Sequence, residues 1–138
     1  MDWEALLATA DGPPELATLR SAASAHFLER GLPSTRDERW RYTDTHFLTQ
    51  QELKLLRPVI KADAPAGVRV RSLEEAANAA VPLLAAEAEI THPFRLLNTA
   101  LLRDGVLVEV EDNAKPEKEL LLTITTTSGL AVPRLLVV

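Results

Sequence analysis

The chain has 138 residues, of which 46% are hydrophobic and 25% charged, proportions that are ordinary for a one-domain soluble globular protein. Fifteen Lys and Arg against twenty Asp and Glu leave a net charge of −5. This balance argues against binding to nucleic acid or to an anionic membrane surface, because both need a basic cluster. The absence of cysteine excludes disulfides, thiolate catalysis and any cysteine-ligated metal site within these residues.

The sequence predicts a cytoplasmic location. No run approaches the roughly 20 apolar residues that a membrane-spanning helix needs. The N-terminus, Met1-Asp2-Trp3-Glu4, is acidic where a secretory signal would carry Lys or Arg.

Two helices are predicted in the first part of the chain. Asp2 has the position of an N-cap for a short helix that extends to Ala10. Apolar residues at helical spacing predict a second helix over residues 15–30, and Gly31 supplies its C-terminal stop.

Shorter elements are predicted in the middle of the chain. Residues 49–52 form a capping-box pattern and predict a short helix that Pro58 ends. Segment 61–67 is rich in Ala, Pro, Asp and Gly and is interpreted as a linker. Residues 68–71 alternate Val with Arg, which indicates a brief strand.

The last part changes from helix to strand. A second capping box at residues 72–75 opens one helix, and Pro93 opens another. Runs of Val, Leu, Ile and Thr then predict strands over residues 106–110, 120–127 and 135–138.

The predicted organisation has three parts: a helical N-terminal region (1–60), the linker (61–67) and a mixed region (68–138) that leads into the last strands. The final apolar run has neither a closing turn nor a polar cap. Strands buried on both faces need neighbours on either side, and chain termini normally lie at the surface. We therefore expect the native protein to continue past Val138, or this end to be covered by another chain.

Residues that could carry chemistry are scattered. His26, His46 and His92 lie far apart in the sequence and show no metal-ligand spacing. Glu109 and Glu111 share one face of a predicted strand, but a solvated strand end explains them better than acid–base catalysis does. The sequence thus predicts no catalytic, cofactor-binding or metal-binding residue and no enzymatic activity. A small hydrolase that uses Glu and His is the least favoured alternative.

The densest cluster of charged and aromatic side chains lies in one predicted loop and contains Arg36, Glu38, Trp40, Arg41 and Tyr42. The two aromatic residues each combine a large apolar ring with a polar tip, and an Arg can stack over such a ring. The cluster is interpreted as a structural clamp between the helical and β regions, or as a hot spot for a partner. The clamp is favoured because the chain has few other aromatic residues.

Three segments carry a family resemblance: Gly31-Leu32-Pro33-x-x-Arg36-x-Glu38-x-Trp40-Arg41-Tyr42-Thr43, then Leu97-Asn98-Thr99-Ala100-Leu101 followed by Asp104-Gly105, and Lys118-Glu119-Leu120-Leu121-Leu122 before a Thr-rich strand. Together they resemble the N-terminal portion of SufD-type iron–sulfur cluster assembly proteins of the SufB/SufD family. The resemblance implies an α+β fold in which a helical N-terminal region is followed by β-strands that begin a right-handed parallel β-helix.

The same resemblance implies a function without catalysis. Proteins of this family are scaffolds that build nascent iron–sulfur clusters together with a SufB-like subunit and a SufC-like ATPase. The family's proposed cluster ligands and its SufC contact lie outside the segments that match. The resemblance therefore transfers no site residue to this chain.

Two further expectations concern strand edges. An exposed edge is a template for pairing with another chain. The sequence therefore predicts self-association through residues 120–138, which the substitutions Leu136→Lys and Val138→Lys would disrupt. The alternative to a scaffold component is a stand-alone interaction module whose exposed β edge binds a partner strand.

Overall fold

The computed structural model describes residues 1–86 and 92–138, in which short helices and strands follow one another in a mixed order. The helices are α1 (Trp3–Ala8), α2 (Ala17–Arg30), α3 (Ala77–Ala85) and α4 (Pro93–Ala100). The strands are β1 (Val59–Asp63), β2 (Val68–Ser72), β3 (Gly105–Val110), β4 (Leu121–Thr125) and β5 (Arg134–Val137). Single 3₁₀ turns occur at Pro14–Leu16, Glu38–Trp40 and His46–Gln50.

Local hydrogen bonds and glycine place some of the helix ends and turns. The Asp2 carboxylate accepts a hydrogen bond from the backbone N–H of Ala5 at 3.0 Å, which satisfies a donor of the first turn of α1. The reciprocal bonds of the predicted capping box form, because the side chains of Ser72 and Glu75 each accept the other residue's backbone N–H at 3.2 Å, but they close a turn, and α3 itself begins at Ala77. At the end of α2, Gly31 has a φ of 72°, which glycine adopts more readily than other residues, and its N–H donates to the Phe27 carbonyl at 2.7 Å.

The helix predicted from the capping-box pattern at residues 49–52 is wrong. The chain forms the 3₁₀ turn His46–Gln50 and then runs extended. There the Leu56 N–H donates to the Leu130 carbonyl at 2.8 Å, and the Leu130 N–H donates to the Lys54 carbonyl at 2.9 Å. A helix limited to about two turns gains little by itself, so pairing with a distant segment determines the conformation.

The strands form two small sheets. β1 pairs with β4 in antiparallel orientation, and the second sheet has the order β2-β3-β5. Within it β2 and β3 are antiparallel, whereas β3 and β5 are parallel, with Leu107 opposite Leu136. β1 extends from the predicted N-terminal region into the predicted linker (61–67), and its partner β4 belongs to the predicted mixed region (68–138).

The predicted fold class is therefore wrong. A right-handed parallel β-helix stacks successive strands in parallel, but among the described residues β3 and β5 are the only two named strands that pair in parallel. The chain is a small α+β domain with one two-stranded and one three-stranded sheet. The alternation of apolar residues predicts that a segment is a strand, but it does not specify the strand's partner or direction.

α3 packs on one face of the three-stranded sheet, and the other helices pack mainly on one another. One core cluster lies mainly between α1, α2 and α4, where Trp3 contacts Phe27 edge-on with ring centroids 5.4 Å apart. A second cluster joins α3 to the sheet through Leu107 and Leu136, which are neighbours across the β3–β5 ladder. The buried residues of this second cluster are Leu16, Leu73, Ala76, Ala80, Leu84, Leu102, Leu107 and Leu136.

The other face of the three-stranded sheet is also apolar. Side chains alternate along a strand, so Val106, Val108 and Val110 of β3 lie on the face opposite Leu107. The two-stranded sheet lies near one end of this face, where Ile60 and Val106 line a common cleft of about 300 Å³. Val106 and Val108 are buried, whereas Val110 is 45% exposed.

The start of β3 requires glycine. Gly105 has a φ of 153°, and a Cβ at this position would clash with the backbone carbonyl oxygen of Arg134. We predict that Gly105→Ala lowers the free energy of unfolding by about 3 kcal/mol or more, because it adds this clash to the strain of a positive φ. Chemical denaturation followed by far-UV circular dichroism measures the loss.

Gly31→Ala is the matched control for this prediction. Gly31 also has a positive φ, but a Cβ added there would meet no atom within 4 Å. Its substitution should therefore cost only the backbone strain, about 1–3 kcal/mol. Equal losses for the two variants would contradict the close approach of β5 to Gly105.

Candidate partner-binding surface

Of the five residues singled out in the predicted loop, Trp40 is the one that packs against a distant element. It ends the 3₁₀ turn Glu38–Trp40, and its ring lies 5.3 Å from the Phe94 ring and 5.8 Å from the His92 ring, centroid to centroid. Both partners lie at the start of α4. Trp40 thus joins the loop to a helix of the predicted mixed region, not to a strand.

The other residues of the cluster face solvent. Arg41 donates to both carboxylate oxygens of Glu38 at 2.6 Å, and both side chains are more than half exposed. Tyr42 is 92% exposed, with the Arg41 guanidinium 5.9 Å from its ring centroid, and Arg36 is exposed as well. An exposed ion pair of this kind adds little stability, so only Trp40 contributes strongly to packing.

A set of hydrogen bonds between side chains of α4 and the start of β5 was not predicted from the sequence. The Arg134 guanidinium donates to Asn98 Oδ1 at 2.8 Å and to Thr99 Oγ1 at 2.9 Å. Asn98 also donates from Nδ2 to the Val132 carbonyl at 3.3 Å. Because these bonds hold both the side chain of Arg134 and the backbone just before it, they fix where β5 begins. We call Arg134, Asn98, Thr99 and the backbone of Asp104 the Arg134 clamp.

Asp104 completes this clamp through its backbone, and its side chain is partly buried among charges. Its carbonyl accepts the Arg134 N–H at 3.1 Å. Its carboxylate lies 3.3 Å from the Arg57 guanidinium and 3.4 Å from that of Arg103, which also pairs with Asp11 at 2.9 Å. Burial raises the pKa of Asp104, and the two guanidinium groups offset only part of that effect.

The signal for the clamp was present in the segments that carry the resemblance. Asn98, Thr99, Asp104 and Gly105 all belong to the second matching segment, but the resemblance gives them no role. Asn98 and Thr99 are half-buried polar residues near the end of α4, and half-buried polar side chains usually have hydrogen-bond partners. Their partner was not predicted because Arg134 is 36 residues away from Asn98.

β5 has an open edge. The Val138 N–H donates to the Val108 carbonyl at 2.9 Å, and the Val138 carbonyl accepts the Val110 N–H at 2.8 Å. Alternate residues of a strand direct their backbone groups to opposite sides, so those of Leu135 and Val137 point away from β3. Within residues 1–86 and 92–138, β5 has no strand neighbour on that side.

The exposed side chains of β5 lie on the outer face of the sheet. Leu135 and Val137 are 51% and 63% exposed, whereas Leu136 is 8% exposed and belongs to the core. Leu136→Lys, expected from the sequence to disrupt an exposed edge, would therefore disrupt the core. Leu135→Lys and Val137→Lys alter the exposed edge and the cleft beside it without placing a charge in the core.

An apolar cleft continues from this edge. It has a volume of about 530 Å³ and lies between the outer face of the sheet and segment 116–120. Lys118 of that segment is bound to Asp63 at 2.7 Å. The remaining lining is mostly aliphatic and includes Val68, Val108, Val110, Leu120, Leu135 and Val137.

The residues considered for chemistry lie apart or are paired. His26 lies in α2, His46 in a 3₁₀ turn and His92 before α4. Glu109 accepts two hydrogen bonds from Arg71 at 2.8 Å, and these bonds lower the pKa of Glu109. In the described part of the chain, no group of three or more His, Asp or Glu side chains is arranged to hold a metal ion.

None of the helices in the two described ranges combines the length and the apolar character that a bilayer crossing demands.

Comparisons with protein-family models, with curated proteins and with solved structures find no match for this chain.

Trp40 and Tyr42 should differ sharply in their contribution to stability. We predict that Trp40→Ala lowers the free energy of unfolding by about 2 kcal/mol, less than for a fully buried Trp because the ring is half-buried. Tyr42→Ala, the matched control, should change it by less than about 0.5 kcal/mol. Thermal unfolding of the two variants beside the unmodified chain measures both. A larger loss for Tyr42→Ala would contradict the packing of Trp40 on α4.

Proposed function

We propose that this chain is a non-catalytic scaffold component of iron–sulfur cluster assembly in the cytoplasm, similar to the N-terminal part of a SufD-type protein. It acts through protein–protein contacts, with a SufB-like scaffold subunit and a SufC-like ATPase as its partners. The basis is the three matching segments together with the role that their residues have in the fold. We take the identity of the partners from the resemblance, and the surface that would contact them from the structure.

The observation that carries this proposal is the edge of β5, which is held in place at both ends and has no strand beside it in the described residues. Asn98, Thr99 and the backbone of Asp104 direct polar atoms at Arg134. The matching residues therefore hold a strand whose outer backbone groups have no partner strand within residues 1–86 and 92–138. Rigid presentation of a strand edge favours assembly, because little conformational entropy is lost when a partner strand binds.

A second candidate function rests on the same edge. A stand-alone interaction module would also use an open strand edge, but it would not require a SufB-like or SufC-like partner. Self-association through the C-terminal strands is a special case in which a second copy of the chain pairs with β5. The identity of the partner distinguishes these functions from the scaffold.

We expect the purified chain to co-elute with a SufB-like subunit, with or without the SufC-like ATPase, in size-exclusion chromatography with light scattering. The double variant Leu135→Lys/Val137→Lys should lose the complex, because it places two charges in the contact. Leu121→Lys is the matched control, since Leu121 is 62% exposed on β4. Circular dichroism verifies that all variants are folded.

Failure of the unmodified chain to bind either protein would contradict the scaffold function. If the chain instead forms a dimer that the double variant disrupts, the interaction module is the better description. A complex that forms equally well with the double variant would show that β5 is not the contact.

A further inference from the structure

We propose that the β5 edge and its adjoining cleft bind an extended segment of a partner protein in which apolar residues alternate and a Lys or Arg flanks them. This inference rests on the proposed function, because it names the chemistry of the contact that a scaffold would make. It commits to a basic partner strand in preference to a second copy of this chain. Three features of the surface lead to it.

The first feature is the backbone. Leu135 and Val137 each present one N–H and one C=O on the outer side of β5, so an added strand can make up to four main-chain hydrogen bonds. The strand's position is fixed by the Arg134 clamp at one end and by the Val138 pairing with β3 at the other. β5 therefore has a fixed position in the sheet before a partner binds.

The second feature is the cleft beside the edge. Its volume of about 530 Å³ is within the range of pockets that hold side chains or small ligands. Leu135 and Val137 belong both to the edge and to the cleft lining. Alternate side chains of an added strand point to the same face, so apolar residues two apart would extend over these two side chains and into the cleft.

The third feature is the charge at the cleft. Glu117 and Glu119 line it and are exposed, and in the described residues neither carboxylate has an ion-pair partner. Lys118, which lies between them, is already bound to Asp63 at 2.7 Å. Two uncompensated carboxylates favour a partner that carries positive charge.

Charge also argues against a second copy as the occupant. Each copy has a net charge of −5, so two copies repel each other at long range where a basic segment is attracted. Arg134, the cation nearest the apolar part of β5, is bound to Asn98 and Thr99 and does not project as a free flanking charge.

The test uses labelled peptides of about eight residues, long enough for one strand. The first alternates Val and Thr between Lys residues at its ends, and the second replaces those Lys residues by Glu. We expect fluorescence anisotropy to give affinity for the Lys peptide about tenfold higher than for the Glu peptide, since two surface ion pairs are involved. That preference should weaken as salt is raised.

Variants of the full chain locate the contact. Glu117→Gln/Glu119→Gln should reduce the preference for the Lys peptide far more than Glu4→Gln/Glu29→Gln, which neutralises two exposed carboxylates on α1 and α2 and changes the net charge by the same amount. Leu135→Lys/Val137→Lys should remove binding of both peptides. Circular dichroism establishes that each variant is folded.

Equal affinities for the two peptides, or a preference that Glu117→Gln/Glu119→Gln reduces no more than Glu4→Gln/Glu29→Gln does, would overturn the inference. So would a stable dimer that competes with the Lys peptide, because a second copy would then occupy the edge. If the chain binds a SufB-like subunit while neither peptide binds, the proposed function stands and this inference fails. The two can thus be distinguished.

Discussion

The fold depends on the attachment of β5 to α4 through Arg134. β5 runs parallel to β3, and parallel strands cannot be joined by a tight turn. The chain must therefore return from β4 and begin β5 in the correct register with β3. Asn98 and Thr99 do this by binding the Arg134 guanidinium, and Gly105 allows the backbones to approach. Without this attachment the register that places Leu136 in the core would lose its main polar constraint.

The same attachment determines the character of the surface. With Leu136 directed inward, Leu135 and Val137 must point outward, because a strand's side chains alternate. The outer face thus continues as an apolar strip from β3 to an edge that has no strand beside it in the described ranges. Exposed apolar side chains at an open strand edge are a template for pairing with a partner. The hydrogen bonds that hold Arg134 therefore account for the outward direction of Leu135 and Val137.

The sequence predicted features whose causes are local and failed where the cause is distant. The Asp2 cap and the box at Ser72 depend on residues three apart. The predicted β-helix is wrong because strand pairing joins residues far apart, as when Val59 lies opposite Thr125. The candidate surface followed the same rule. Trp40 and Tyr42 are both aromatic residues of one loop, yet only Trp40 packs against α4. The residues next to Arg134 in the sequence likewise do not indicate that its partners lie on α4.

Amide hydrogen exchange along β5 is the most direct measurement of this account, since exchange reports which backbone groups are bonded. Dilute protein should show slow exchange at Arg134 and Val138, whose N–H groups donate to Asp104 and Val108, and rapid exchange at Leu135 and Val137. Uniformly rapid exchange would contradict an anchored β5. Uniformly slow exchange would contradict an open edge.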